Sequence, residues 1–176
     1  MNTKQRYRTS VPGLHLRFAA RPDVPELLAL IRELAEFEKL LDQVSAGEDT
    51  LAEALFGPGR VAESVLAELN GEVVGFAVFF HNFSTFLGRA GLHLEDLYVR
   101  PHARGKGVGK SLIMFVARIA VDRRCGRFEW SVLDWNTAAL DFYRALGAVP
   151  MSEWTVQRIT GEALARLGSR DFPPEA

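Results

Sequence analysis

Between Leu92 and Arg124 the chain reads as a strand, then the glycine-rich run Arg104-Gly-Lys-Gly-Val-Gly-Lys-Ser111, then a helix. Leu92–Val99 is strand-like, and Val108–Arg124 places Val108, Leu112, Phe115, Val116 and Ile119 on one helical face. Glycines at alternate positions cost order at a helix start unless the backbone has to approach something closely. A loop of this kind points several backbone N–H groups, unobstructed by Cβ atoms, toward one place, which makes an anion cradle. A glycine-rich connector without a ligand is the competing reading.

The letters separate the known phosphate loops. A Walker A loop needs glycine where Arg104 stands, and a dinucleotide fingerprint beginning at Gly105 needs its third glycine where Lys110 stands. What remains is Arg104-x-x-Gly107-x-Gly109.

The rest of the chain supplies a frame. At 176 residues one domain is expected, large enough to bury a core without staples. Lysine and arginine number 21 against 22 acidic residues, so no global field favours nucleic acid or an anionic membrane. Cys125 stands alone and the histidines lack ligand spacing, so neither a disulfide framework nor a structural metal is expected. No apolar stretch follows the polar N-terminus, and a cytoplasmic protein is the expectation. Residues 1–13 read as a flexible arm, 14–167 as the domain and 168–176 as a flexible tail.

Within 14–167, Leu14–Phe18 alternates as a half-buried strand. A helix follows, with Asp23 as its cap and an apolar stripe of Val24, Leu27, Leu28, Ile31, Leu34 and Ala35. Thr50–Phe56 is a shorter helix. Val61–Leu69 and Glu72–His81 form an antiparallel hairpin about Asn70-Gly71, a pair that tolerates a type I′ turn. Phe128–Leu133 is a strand, Asn136 caps a last short helix ending at Gly147, and Trp154–Ile159 is a final strand. This order predicts an α/β (α+β) fold: a mixed, largely antiparallel central sheet with helices on both faces.

The loop resembles the coenzyme A pyrophosphate loop of the GNAT superfamily of N-acetyltransferases. Trp135-Asn136, Asp141-Phe142-Tyr143 and Leu146-Gly147-Ala148 follow at the spacing that superfamily uses. Leu34-Ala-Glu-Phe-Glu38 and Leu94-Glu-Asp-Leu-Tyr-Val99 resemble the diamine (spermidine/spermine, thialysine) acetyltransferase family. The resemblance implies acetyl-CoA as cosubstrate, direct acetyl transfer to a primary amine of a small molecule, and a homodimer. Two alternatives remain open: acetylation of a protein or peptide amine, and a non-catalytic acetyl-CoA-binding module.

Acetyl transfer requires a deprotonated amine, a polarised carbonyl and a proton for the departing thiolate. A tyrosine with its ordinary pKa of about 10 is protonated at neutral pH and able to donate. Tyr143 lies two turns beyond Asn136 on one helical face, with small Ala139 between them. Locally, catalysis and aromatic packing beside Phe142 fit it equally, and the resemblance implies the general acid. Glu95 and Asp96 are adjacent carboxylates that regular pleating sends to opposite faces. The resemblance implies Glu95 at the amine, directly or through water, and a bulge after it that frees Leu97, Tyr98 and Val99 for the cofactor's pantetheine. It also implies cofactor contacts from Arg104, Gly105, Lys106, Gly107, Val108, Gly109, Lys110, Asn136, Ala139 and Tyr143. By the same resemblance Phe37, Glu38 and Trp154 are expected on the substrate side. The segment after Gly147-Ala148 departs from the polyamine enzymes, being shorter and carrying only Glu153 as acid.

Overall fold

Asn70 and Gly71 adopt φ values of +53° and +91°, so the hairpin turn forms as its chemistry requires. The structure, a computed structural model, describes residues 5–169. The chain divides into two compact units, Met1–Ser131 and Val132–Ala176, where the sequence reading places one domain over 14–167.

The first unit is a six-stranded sheet in chain order: β1 (Tyr7–Arg8), β2 (Leu14–Phe18), β3 (Glu63–Leu69), β4 (Glu72–Ser84), β5 (Arg89–Val99) and β6 (Phe128–Trp130). All neighbours run antiparallel except β5 and β6, which are parallel, with Leu92 opposite Phe128. A parallel pair needs a crossover, and α3 (Val108–Asp122) provides it. The mixed, largely antiparallel sheet expected from the sequence is the one observed.

Helices α1 (Val24–Phe37) and α2 (Glu48–Phe56) cover one face. There Leu27, Leu30 and Leu34 of α1 and Leu55 of α2 pack with Leu66, Phe76, Val78 and Tyr98 of the sheet. Helix α3 covers the other face through its buried stripe of Val108, Leu112, Ile113, Val116 and Ile119. Arg100, just past β5, ties α1 to the sheet: it bonds Glu33 at 2.8 Å, Glu26 at 3.0 Å and the Val73 carbonyl at 2.8 Å.

Several local expectations give way to tertiary contacts. The segment 1–13 is not an arm throughout, because Tyr7 and Arg8 pair with Leu16 and His15. Asp23 precedes α1 without capping it. Its carboxylate is held by Arg17 at 2.6 Å and 2.8 Å and by the Ala20 N–H at 2.7 Å. The strand at Phe128 ends at Trp130.

The second unit contains α4 (Thr137–Ala145) and α5 (Gly161–Gly168). Asn136 caps α4 as expected, its side-chain oxygen accepting the Ala139 N–H at 3.2 Å. Residues 154–159 form no strand, and a helix at 161–168 takes part of the segment placed between them and the tail. Most of the expected tail, 170–176, lies outside the described residues.

Candidate active site

The end of β5 is where the first unit concentrates its chemistry. β4 and β5 pair Val78 with Asp96 and Phe79 with Leu94, so Glu95 is the extra residue of a bulge. The bulge falls at Glu95 itself, where the sequence reading puts it just after. It cancels the alternation that would separate the two carboxylates. Asp96 shares the face of its partner Val78, the face packed by α1.

Burial is the largest influence on Asp96, followed by the charges of Glu95 and Glu38, and together they raise its pKa to about 6. Glu38, at the C-terminal end of α1, is itself raised by burial. The charges of two neighbouring carboxylates, one from α1 and one from β5, therefore add to burial in holding a proton on Asp96. Glu95 is the outer member, with its side chain 57% exposed and His93 Nε2 at 3.8 Å. The sequence shows the pair but not which carboxyl is the more buried, since that depends on the bulge and on α1.

Beyond Glu95 one edge of β5 is uncovered, because β6 pairs only with Leu92, His93 and Leu94 among the described residues. The Arg100 N–H donates to Val74 O on β4, which turns the preceding carbonyl, Val99 O, toward the uncovered edge. By the same alternation Leu97 offers its N–H and C=O there, whereas Tyr98 turns its backbone groups to β4. Tyr98 contributes a buried ring instead, and its hydroxyl pKa is raised by burial and by Glu33.

Arg104 opens the glycine loop, and its side chain works on the sheet. Nε donates to Val99 O at 2.8 Å. The guanidinium carbon lies 4.8 Å from the Phe37 ring centre and 5.6 Å from that of Tyr98. The expected phosphate ligand thus links the loop to an expected substrate-side ring.

Gly107 has φ +81° and is the residue before α3. The left-handed backbone favours glycine, and a Cβ there would press on Val11, 3.0 Å from its Cγ2. Ser111 N–H is the first of α3 to find an acceptor, Gly107 O at 2.9 Å. The N–H groups of Val108, Gly109 and Lys110 precede it and meet no acceptor among the described residues. They form a donor cluster at a positive helix end, with exposed Lys106 and Lys110 beside it. Gly109 lies against the side chains of Val99 and Leu97. These features fit a diphosphate.

The second unit carries the other expected residues. Asn136, Ala139 and Tyr143 are half-buried, and the Tyr143 ring lies 5.2 Å from that of Phe142. Trp154 is 73% exposed.

An open strand edge beside a helix-borne donor cluster and a half-buried carboxylate is an arrangement for group transfer from a phosphate-bearing carrier. Residues 28–148 match the Acetyltransferase (GNAT) family, and the chain belongs to that family of N-acetyltransferases. The family uses acetyl-CoA as cosubstrate. The chain is 40% identical over 166 residues to the thialysine N-epsilon-acetyltransferase of Bos taurus, covering 88% of this chain and 97% of that one. An L-ornithine N5-acetyltransferase of Arabidopsis thaliana is 32% identical, with 86% of each chain covered. Among solved structures, an integron cassette protein from the V. cholerae mobile metagenome has a TM-score of 0.75 at 26% identity, covering 90% of this chain and 99% of that one. No helix among the described residues is long and apolar enough to cross a membrane.

Proposed function

We propose that the protein is an acetyl-CoA-dependent N-acetyltransferase whose acceptor is the primary amine of a small cationic molecule. The observation that carries this reading is the carboxylate group of Glu38, Glu95 and Asp96, with Asp96 raised to about 6. A carboxyl with that pKa is mostly ionised at neutral pH yet accepts a proton more readily than an ordinary aspartate. Its neighbours supply negative charge that attracts an ammonium. The relatives that acetylate thialysine and ornithine support an amino-acid-like amine.

Acetyl-CoA supplies the acetyl group as a thioester. The N–H groups of Val108, Gly109 and Lys110 hold its diphosphate, with Gly105, Lys106 and Gly107 shaping the loop, and Leu97 and Val99 offer backbone partners to its arm. Asn136 and Ala139 are assigned to the same cofactor. Asp96 takes the amine proton as the C–N bond forms, with Glu95 assisting the deprotonation directly or through water. Tyr143 gives its phenolic proton to the departing sulfur as the C–S bond breaks, an assignment that rests on its place in the family pattern. Phe37, Glu38 and Trp154 are assigned to the amine side. Residues 14–167 are assigned to this activity as one domain, working as a cytoplasmic homodimer.

The test mixes the protein with acetyl-CoA and a panel of amines and peptides, then follows free thiol. Amine-dependent release supports the enzyme, and preference for lysine analogues or ornithine over spermidine supports the acceptor class. Release only with peptides moves the reading to protein acetylation. Coenzyme A binding without release from any acceptor would leave a binding module.

A further inference from the structure

Residues 6–13 are built into the first unit. β1 pairs with β2, the Tyr7 ring lies 4.7 Å from Phe115 of α3, and Arg6 Nη2 lies 2.6 Å from Glu68 Oε2. Between β1 and β2 the chain makes a turn tied by Thr9. Its hydroxyl accepts the Val11 N–H at 3.1 Å and donates to Leu14 O at 3.2 Å, while Leu14 N–H donates to Val11 O at 3.1 Å. The turn is pinned to the tip of the β3–β4 hairpin, where Asn70 N–H donates to Gly13 O at 3.0 Å. Held this way, half-buried Val11 rests on Gly107, so closely that a Cβ there would lie 3.0 Å from its Cγ2.

Gly107 decides where the cradle points. At φ +81° it starts α3, and the three N–H groups that meet no acceptor among the described residues follow it directly. Glycine populates both signs of φ with similar ease; α3 holds Gly107 O through the Ser111 N–H and hydroxyl, both at 2.9 Å, and Val11 adds a restraint from outside the helix. We propose that the turn from Thr9 to Gly13 clamps this loop, with Val11 as a positioning residue that holds Gly107 left-handed and thereby sets the affinity for the cofactor's diphosphate. The inference rests on the acetyl-CoA reading above. A site that is competent only part of the time binds with a dissociation constant raised by the inverse of that fraction. A loop left competent about a fifth of the time therefore binds about fivefold more weakly.

The full chain, Val11→Ala and Val11→Ile are titrated with coenzyme A by calorimetry, and amide exchange is followed across residues 105–110. For Val11→Ala the expected result is a Kd for coenzyme A and a KM for acetyl-CoA raised about fivefold, by the same competent-fraction arithmetic. Exchange at 105–110 quickens, while kcat and the KM for the amine hold. Val11→Ile restores the parent values. Thr9→Val, which unties the turn without touching Gly107, gives the same pattern more weakly and serves if Val11→Ala does not fold. Unchanged Kd and exchange overturn the clamp, as does a fall in Tm with exchange at 105–110 unaltered. A parent protein that fails to bind coenzyme A overturns the acetyl-CoA reading and the clamp with it. Binding by the parent and an equal affinity in the variants overturn the clamp alone.

Discussion

Replacing Asp96 with Asn tests how the carboxylate group is built. Asp96 ionises near 6 instead of 3.8 because burial, then Glu95, then Glu38 oppose its charge. The difference is about 2 pH units, and at about 1.4 kcal/mol per unit the ionised form costs the fold about 3 kcal/mol. The sign follows from proton binding. The folded protein holds this proton more tightly than the unfolded chain, so the penalty is complete above the folded pKa of about 6 and fades as the pH falls toward 3.8. Asparagine has nearly the same shape and no charge. Asp96→Asn is therefore expected to be more stable than the parent by up to about 3 kcal/mol at pH 8, with the gap closing toward pH 4. Urea unfolding of both proteins across that range, read by tryptophan fluorescence, measures the gap directly. The same substitution lowers kcat/KM and removes the acid limb near pH 6 that Asp96 imposes on its profile. A stability difference that does not change with pH, or a variant less stable than the parent at pH 8, would refute the account of burial and repulsion.

Tyr143→Phe is expected to lower kcat by about a hundredfold or more while leaving coenzyme A affinity in place, and unchanged turnover removes the phenol from the mechanism. Glu38→Gln removes one of the charges acting on Asp96, so the acid limb of kcat/KM moves to lower pH; a limb that stays put separates Glu38 from that carboxyl. Gly107→Ala meets both a left-handed backbone and Val11, and a backbone penalty of about 1–2 kcal/mol corresponds to coenzyme A binding weakened by roughly five- to thirtyfold, read by calorimetry. Arg104→Ala is expected to change the KM of the amine more than that of acetyl-CoA, since the side chain lies 4.8 Å from Phe37; the reverse order identifies a phosphate contact.

The parts of this molecule that are legible in its sequence are those decided by neighbours in the chain. The turn at Asn70-Gly71, the buried stripe of α3 and the Asn136 cap each depend on a few consecutive residues; the turn and the cap form as read, and the stripe does except that Ile113 is buried while the expected Phe115 is half-buried. Asp23 shows where such signals fail: its position and chemistry suit a helix cap, but Arg17 and the Ala20 N–H take its oxygens first. The carboxylates follow the same logic. Adjacent acids on a strand belong on opposite faces unless an extra residue is inserted, and that insertion is defined only against β4, where Val78 and Phe79 meet Asp96 and Leu94. No inspection of residues 94–99 alone could tell Glu95 from Asp96 as the more buried acid. Gly107 combines both cases. Its glycine identity is readable from the loop pattern, yet a valine from the other end of the chain also crowds the place a side chain would take. A motif residue can therefore be recognised from sequence before its full constraint is known, and the part left over is tertiary.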